Sequence, residues 1–318
     1  MRRLHLGARF YSNAVVLKIV LLDCQARPDM LSCDRWNSPN NKRQWAQLLT
    51  MTDHLTRLEH ESVFIIREAY KKIRNLALLW SMGKDSTVLL QLVRKSFLGH
   101  VPIPLVHIDT SYKIPEMITW RDQYAKENGL RLIVGQNKAA LDAGMGPDKG
   151  RLTCCGALKT QGLLDTIKEH NIGGLLLGIR RDEEGSRAKE RVVSPRPDDG
   201  TWTYKDQVAE IWNHYNLHLP ESVHMRVHPL LHWTELDVWE YIQREKLEIM
   251  PLYFSNAEGK RYRSLGCWPC TGSIDSCASS IDEIVDEIRM TKTSERAGRA
   301  QDNADTYAMQ KLRSQGYM

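Results

Sequence analysis

The chain has 318 residues, of which 42% are hydrophobic and 26% charged, and its net charge of +5 comes without a block of like charges. This composition is that of a soluble globular protein with one large core, or a core and a smaller lobe, and gives only weak support to nucleic-acid binding. Seven cysteines are too few for a disulfide scaffold, and no apolar stretch has membrane-spanning length, so we expect a cytoplasmic protein without a membrane partner.

The first 50 residues differ from the rest of the chain. Residues 34–43 are polar and contain Pro and Asn, which predicts a loop or disorder. A capped amphipathic helix is predicted over 52–74, directly after Met51. We therefore interpret residues 1–50 as an extension that is either disordered or lies upstream of the true start.

Predicted strands and helices alternate after this point. The strands are expected at 76–80, 104–109, 131–135 and 174–178, and the helices at 85–97, 114–128 and 156–170. This alternation predicts an α/β fold, a parallel sheet with helices on both faces, which binds ligands at the carboxyl ends of its strands. The pattern becomes irregular near Pro195, so we divide the chain into a nucleotide-binding core, 51–195, and a C-terminal extension over the active face, 196–318. Within the extension, helices are predicted at 234–245, capped by Thr234, and at 281–290.

The turn after the first predicted strand carries groups that bind anions. Gly83 allows the backbone to approach a ligand closely, and the first N–H groups of the following helix point toward that ligand. Lys84 and the hydroxyls of Ser81 and Ser86 add a charge and donors at the same place. The spacing is not that of a Walker A loop. A phosphate or pyrophosphate site is favoured over an ordinary turn with a solvated lysine.

A second cluster of charges follows the fourth predicted strand, in the stretch from Gly178 to Arg191. It contains four arginines and one lysine, and guanidinium groups bind sulfate and phosphate oxygens through paired hydrogen bonds. Asp182, Glu183 and Glu184 are placed to orient these groups or to bind Mg²⁺. The alternative is a solvated helix stabilised by charge pairs four residues apart.

Both clusters resemble motifs of one protein family. Ser81-Met-Gly-Lys-Asp-Ser86 resembles the pyrophosphate loop (PP-loop) of the ATP α-hydrolase superfamily, usually Ser-Gly-Gly-Lys-Asp-Ser, with Met82 as a departure. The stretch 180–191 resembles the signature Arg-Arg-Asp-Glu-Glu…Ser-Arg-Ala-Lys-Glu-Arg of the small subunit of sulfate adenylyltransferase. Further agreement, from about residue 53 to the end of the chain, is found at His107–Thr110, Arg226–Leu230, Trp233–Glu235, Tyr262–Cys267, Thr293–Arg296 and Gly316–Tyr317.

The resemblance implies an adenine-nucleotide α-hydrolase-like fold and attack by sulfate on the α-phosphorus of ATP, which releases pyrophosphate and forms adenylyl sulfate. The catalytic residues it implies are Lys84, Asp85, Arg180, Arg181 and Arg187. The residues it implies for binding ATP and Mg²⁺ are Ser81, Gly83, Lys84, Asp85, Ser86, Asp109, Thr110, Gly178 and Arg191, with Arg191 also on the oxyanion. Family members work with a GTPase large subunit, so an oligomer is expected.

Four cysteines depart from that family. Cys154 and Cys155 are adjacent, and Cys267 and Cys270 form a C-x-x-C pair, so four thiolates are available for a [4Fe–4S] cluster or, second in order, for zinc. The set resembles the cluster ligands of assimilatory adenylyl-sulfate reductases. The alternative is four reduced cysteines packed in a core. Those reductases also use a nucleophilic cysteine near the C-terminus, whereas the last cysteine here is Cys277.

Three other functions remain open at this point. An iron–sulfur ATP pyrophosphatase would activate nucleic acid for sulfur insertion, as in DNA phosphorothioation or tRNA thiolation, together with a sulfur-transfer partner protein; the lack of a basic stripe counts against it. An adenylyl-sulfate or phosphoadenylyl-sulfate (PAPS) reductase would need another nucleophile. A nucleotide-sensing scaffold fits least, because both charged clusters look complete.

Overall fold

A computed structural model describes residues 39–205, 207, 209–210, 215, 223–296 and 308–317. Its helices are α1 (Pro39–Lys72), α2 (Lys84–Ser96), α3 (Pro115–Glu127), α4 (Lys138–Asp142), α5 (Arg151–Cys155), α6 (Gly162–Glu169), α7 (Glu235–Glu245), α8 (Ile281–Met290) and α9 (Ala308–Ser314). Its strands are β1 (Leu76–Leu79), β2 (Leu105–Ile108), β3 (Leu132–Gly135), β4 (Gly174–Leu176), β5 (Val193–Pro197), β6 (Val223–Val227), β7 (Lys260–Tyr262) and β8 (Ser273–Asp275).

Helix α1 is longer than the sequence predicts. It begins at Pro39 rather than at residue 52, so the prediction of a loop over 34–43 is wrong for residues 39–43. Proline is compatible with the first turn of a helix because no N–H is needed there. The chain divides into two units at Thr56, and the sheet belongs to the second unit, Arg57–Met318. Residues 1–38 of the predicted extension lie outside the described residues.

The six-stranded sheet has the order β3-β2-β1-β4-β6-β5. The pairs β1–β2, β2–β3, β1–β4 and β4–β6 are parallel, with Leu78 opposite Leu105 and Ala77 opposite Leu175. Strands β1, β2 and β4 are almost entirely buried, as expected for the centre of a parallel sheet. The predicted α/β fold class with a mostly parallel sheet is confirmed.

Strands β5 and β6 were not predicted. They pair antiparallel to each other at one edge of the sheet, and β6 continues the sheet from β4. The predicted boundary at residue 195 therefore falls inside β5, and the segment predicted to be an extension supplies a strand of the sheet. Their sequences, Val-Ser-Pro-Arg-Pro and Val-His-Met-Arg-Val, bury arginine on one face, so they lack the apolar pattern of a core strand.

The two C-terminal helices begin as predicted. Thr234 caps α7 in a reciprocal capping box with Asp237, and Ser280 caps α8 in the same way with Glu283. The predicted helix over 156–170 is instead α5, a π-helical turn over Gly156–Gln161, and α6. Within the described residues, no helix combines the length and apolar character that crossing a membrane requires.

The topology places the candidate site. From β1 the chain adds β2 and β3 on one side of the sheet and β4 on the other, so the order of strands reverses at β1. In open α/β sheets such a reversal leaves a crevice at the carboxyl ends of the strands, where ligands bind. The turn after β1 and the segment after β4 meet at that crevice.

Candidate active site

The loop between β1 and α2 is held by its own hydroxyls and by a distant tyrosine. Ser81 Oγ lies 3.2 Å from Ser86 Oγ, and Ser86 Oγ donates a hydrogen bond to the carbonyl of Gly83 at 3.0 Å. The backbone N–H of Lys84 donates to the hydroxyl of Tyr253 at 2.8 Å. The first turn of α2 is therefore fixed in position, as an anion site at a helix N-terminus requires.

Met82 takes the position where the related loop has glycine. Its φ of 60° lies in the left-handed region, which costs a residue with a Cβ about 1–2 kcal/mol. The side chain is fully buried in the core, and burial of a methionine contributes about 1.5–3 kcal/mol. The packing of the Met82 side chain offsets the backbone strain, so the departure is compatible with the loop.

Gly178, after β4, touches the same loop from the other side. A Cβ at this position would lie 3.0 Å from the carbonyl carbon of Asp85 and 3.1 Å from the backbone N of Ser86. At such distances the neighbouring backbone would have to shift by a few tenths of an ångström to admit a Cβ. The absence of a side chain at Gly178 therefore lets the end of β4 pack directly on the loop.

Lys84 and Arg180 form the centre of a buried charge cluster, with relative exposures of 1% and 0%. Both cations pair with Glu295, Arg180 also pairs with Asp85 and, at 2.9 Å, with Asp182, and Lys84 Nζ lies 3.3 Å from Asp85. Burial acts to raise the pKa of Glu295, but Arg180 and Lys84 outweigh it and hold that pKa well below its usual range. The carboxylate of Glu295 thus lies where Lys84 and Arg180 would otherwise meet an anion.

A second pair of arginines lies beside this cluster. Arg187 pairs with Glu183 and is 3.7 Å from Glu184, and Arg296 is 3.3 Å from Glu183 and 3.4 Å from Glu184. Both guanidinium groups are at least nine-tenths buried. The acidic residues after β4 therefore hold the arginines in place, as the sequence suggested.

One cavity of about 170 Å³ joins these groups. Its lining includes the loop residues Ser81, Gly83, Lys84, Asp85 and Ser86, with Gly178, Arg187, Glu295 and Arg296, and also His107, Lys113, Lys159, Tyr253 and Tyr317. The volume is below the roughly 300–1,000 Å³ of typical small-molecule pockets, and Glu295, which pairs with Lys84 and Arg180, is among the lining residues. The arrangement can bind a polyanion once that carboxylate moves aside.

Comparison with known proteins decides the family. Residues 75–273 match the family model described as the phosphoadenosine phosphosulfate reductase domain. Sulfate adenylyltransferase subunit 2 of Colwellia psychrerythraea is 40% identical over 83% of this chain and 98% of its own length, and that of Vibrio cholerae is 41% identical over 83% and 97%. The chain belongs to the sulfate adenylyltransferase subunit 2 family.

One solved structure supports the fold. An FMN adenylyltransferase from Candida glabrata has a TM-score of 0.50 at 16% identity, covering 84% of this chain and 85% of its own. A PAPS reductase from Candida auris has a TM-score of 0.48 at 18% identity, covering 69% and 96%. At 16% identity the FMN adenylyltransferase shows only that the α/β fold is shared.

Five predicted residues of the subunit 2 motifs lie away from the cavity or behind it. Arg180 is buried among three carboxylates. Arg181 donates to the carbonyl of Glu190 at 3.4 Å, and neither Arg181 nor Arg191 lines the cavity. Asp109 accepts a hydrogen bond from the N–H of Ser111 at 2.8 Å and stabilises the turn after β2. Thr110 is the fifth, with its hydroxyl 3.2 Å from the sulfur of Cys267.

Sequence reasoning missed several lining residues. Glu295 and Arg296 lie in the segment Thr293–Arg296, which carries the subunit 2 resemblance but was given no role. Tyr253 had no signal in the sequence. His107 forms part of the floor, where burial, followed by Lys113, lowers the pKa of the imidazole to about 3 and keeps it neutral.

The four cysteines come together although the pairs are more than a hundred residues apart. Burial, then the thiols of Cys155, Cys267 and Cys270, raise the pKa of Cys154 to about 11. Burial is the largest influence on the pKa of Cys267 and acts to raise it, but Lys159, Lys113 and the hydrogen bond with Thr110 together outweigh burial and lower that pKa. Within the described part of the chain, no group of three or more His, Cys, Asp or Glu is arranged to hold a metal ion. The four thiols are close enough to influence one another's pKa values, and metal binding by them stays a prediction.

Proposed function

We propose that this chain transfers the adenylyl group of ATP to sulfate, giving adenylyl sulfate and pyrophosphate. The observation that carries the proposal is the shared cavity, into which the loop with Lys84 opens opposite the guanidinium groups of Arg187 and Arg296. Relatives named sulfate adenylyltransferase subunit 2, aligned over nearly their whole length, support it.

The residues divide the work by position. Lys84 Nζ and the hydroxyls of Ser81 and Ser86 hold the leaving pyrophosphate, where negative charge develops. Arg187 and Arg296 bind sulfate and present one oxygen to the α-phosphorus, opposite the leaving group. Before this, the triphosphate displaces Glu295 from Lys84 and Arg180, since the carboxylate and the phosphates compete for the same two cations.

Mg²⁺ would be bound together with the phosphates of the nucleotide, whose negative charge it would offset. The acidic residues near the loop are engaged with arginines, and the described residues supply no ready cage for a metal ion. Mg²⁺ commonly binds through one or two carboxylates and the substrate's own phosphates, so a preformed cage is not required. Asp85, which lines the cavity and is partly exposed, is the residue we assign to it.

The partner is a GTPase large subunit, which couples GTP hydrolysis to an otherwise unfavourable equilibrium. The designation subunit 2 of the relatives supports the existence of a second subunit. We therefore test the reaction with the full chain and that partner. Sulfate-dependent exchange of radiolabelled pyrophosphate into ATP is expected.

Lys84→Ala should lower this exchange by roughly 100- to 1,000-fold, the effect of removing one group that stabilises a developing charge. Lys149→Ala is the matched control, because Lys149 is exposed and pairs only with its neighbour Asp148 among the described residues. Release of ADP and phosphate, or transfer of the adenylyl group to nucleic acid instead of sulfate, would overturn the proposal.

The four cysteines are proposed to bind metal, as a [4Fe–4S] cluster rather than zinc. Their number, their soft thiolate donors and their convergence support this, although the side chains are not arranged around a metal here. Protein purified without oxygen should be brown and contain about four irons per chain. Cys267→Ser should remove the colour, and Cys277→Ser, at an exposed cysteine, should not. Metal-free, colourless protein would contradict the proposal.

A further inference from the structure

A second group of buried cations lies at the edge of the sheet. Strands β5 and β6 pair so that Arg196 stands opposite His224 and Ser194 opposite Arg226. Ser194 and Arg196 are two residues apart on β5 and therefore share one face of that strand. Arg226 lies opposite Ser194, so both arginines point to the same side of the sheet. Each is only 1% exposed. This edge therefore buries two cations on one face.

Helix α9 adds a third arginine, Arg313, which is 3% exposed. Arg313 and Arg196 donate to the same oxygen of Glu190, at 2.8 and 2.9 Å, and both lie against the ring of Trp202, 5.7 and 5.3 Å from its centre. Arg226 donates to the backbone carbonyl of Gly316 at 2.8 Å. The sheet edge, α9 and the segment after α9 thus meet at one cluster.

The cluster lacks negative charge. Among the described residues, Arg196 and Arg313 pair with one carboxylate, that of Glu190, and Arg226 pairs with none. Glu184 also acts on Arg313, but it is engaged by Arg187 and Arg296, so three guanidinium groups have one carboxylate of their own and an excess of two positive charges. Among the described residues, five nitrogens of these arginines are buried without a hydrogen-bond partner: Nε and Nη1 of Arg196, Nε and Nη1 of Arg313, and Nε of Arg226. Buried donors and charges are nearly always paired, because leaving them unpaired costs several kcal/mol. Burial is the main cause that lowers the pKa of Arg196 to about 10. Glu190 opposes this effect, and Arg313 adds to it.

We propose that this cluster is a second oxyanion site, which binds one sulfate or phosphate dianion. A dianion balances the excess of two charges, and a tetrahedral oxyanion accepts paired hydrogen bonds from guanidinium groups that approach from different elements. Since the cluster is fully buried, the ligand is small and inorganic. The anion ties α9 and the following residues to the sheet, and Tyr317 in that segment lines the nucleotide cavity and accepts a hydrogen bond from Lys159 at 3.1 Å.

This site is distinct from the arginines proposed to bind substrate sulfate, and it does not depend on the adenylyl-transfer proposal. Equilibrium dialysis with radiolabelled sulfate, on the full chain without nucleotide, tests it. Arg187→Met removes one proposed substrate contact and should still bind one sulfate per chain. The double variant Arg187→Met, Arg226→Met should bind it at least about tenfold more weakly, the cost of losing a charged hydrogen-bonding group. Arg187→Met, Arg289→Met, which removes a half-exposed arginine paired with Glu240, is the control.

Melting temperature provides a second measurement that does not rely on binding. Sulfate should stabilise the Arg187→Met protein more than chloride at equal ionic strength, and Arg226→Met should abolish that difference while the protein remains folded in chloride. Competition by phosphate at similar concentrations identifies a general dianion site, and its failure identifies a sulfate site. Absence of any sulfate or phosphate binding by Arg187→Met, with equal melting temperatures in both salts, would show that the chain itself supplies the counter-charge and would overturn the proposal.

Discussion

The molecule contains two buried cation clusters that differ in how their charge is balanced. At the nucleotide loop, Lys84 and Arg180 are surrounded by carboxylates, with Glu295 shared between them. At the sheet edge, Arg196 and Arg313 pair with one carboxylate among the described residues, that of Glu190, and Arg226 donates to backbone carbonyls. Because both places are equally buried, the contrast is one of charge and not of solvent exposure.

The difference in charge balance suits the two clusters to different functions. A cluster balanced by the chain's own carboxylate can exchange that carboxylate for the phosphates of a substrate and recover it after release. A cluster without enough carboxylates needs an anion that stays bound whenever the protein is folded. The first arrangement suits turnover, and the second suits a fixed structural ligand.

Removal of Glu295 is the most direct test of this difference between the clusters. Glu295→Ala leaves Lys84 and Arg180 partly uncompensated, and loss of one partner of a buried ion pair typically costs about 3–5 kcal/mol. The free energy of unfolding, from urea titration, should fall by about that much. Pyrophosphate should restore stability to this variant more than it stabilises the parent protein, because it replaces the missing charge.

Asp286→Ala is the control for that experiment. The exposed Asp286 pairs only with Arg289 among the described residues, so its loss should change the free energy of unfolding by less than about 0.5 kcal/mol.

Arg226→Met is the corresponding test at the sheet edge. Replacing an uncompensated buried charge with an apolar side chain of similar length should be neutral or stabilising in chloride buffer. Equal losses for Glu295→Ala and Arg226→Met would refute the distinction between the clusters.

Acid sensitivity should also separate the two regions. Burial is the largest cause that lowers the pKa values of His107 and His224 to about 3 and that of His228 to about 4. Below pH 6.5 the unfolded chain takes up protons that these folded imidazoles do not, so stability falls as pH falls, by about 1.4 kcal/mol per pH unit for each histidine. Above that pH they contribute no dependence.

Two of the three histidines belong to the sheet edge, so most of this slope should come from there. Urea titrations at pH 7 and pH 5 measure this pH dependence of stability. His224→Gln, at the sheet edge, and His107→Gln, at the nucleotide cavity, should each reduce the slope by about one third. Stability that is the same at both pH values would mean that these imidazoles are protonated in the folded protein.

The fold was predictable where the signal is local. Short apolar strands alternating with helices predicted β1 to β4, and Thr234 predicted the start of α7 through its capping box. Strands β5 and β6 were not predicted because their buried face carries Arg196 and Arg226 instead of apolar side chains. A pattern of hydrophobicity cannot reveal a strand whose buried face is charged.

The candidate site shows the same limit. Ser81 to Ser86 are contiguous, so the loop could be recognised from its spacing. The pairing of Lys84 with Glu295 joins residues 211 positions apart, and no local pattern records it. Arg180 and Arg181 are adjacent and chemically identical, yet one is buried among carboxylates and the other lies outside the cavity. Only the tertiary structure distinguishes them.

The smallest expected effect concerns backbone contact at the nucleotide cluster. Gly178→Ala places a Cβ about 3 Å from the backbone of Asp85 and Ser86, so the loop must shift by several tenths of an ångström. A displaced loop should lower the rate of adenylyl transfer about tenfold or more, since small misplacements are costly in positioning catalysis, while unfolding stability should fall by only about 1–3 kcal/mol. Gly185→Ala is the matched control, because its Cβ would meet nothing within 4 Å. If Gly178→Ala lost stability without a change in pyrophosphate exchange, the loop would not be the part of the site that needs exact placement, and that requirement would pass to the arginines proposed to bind sulfate.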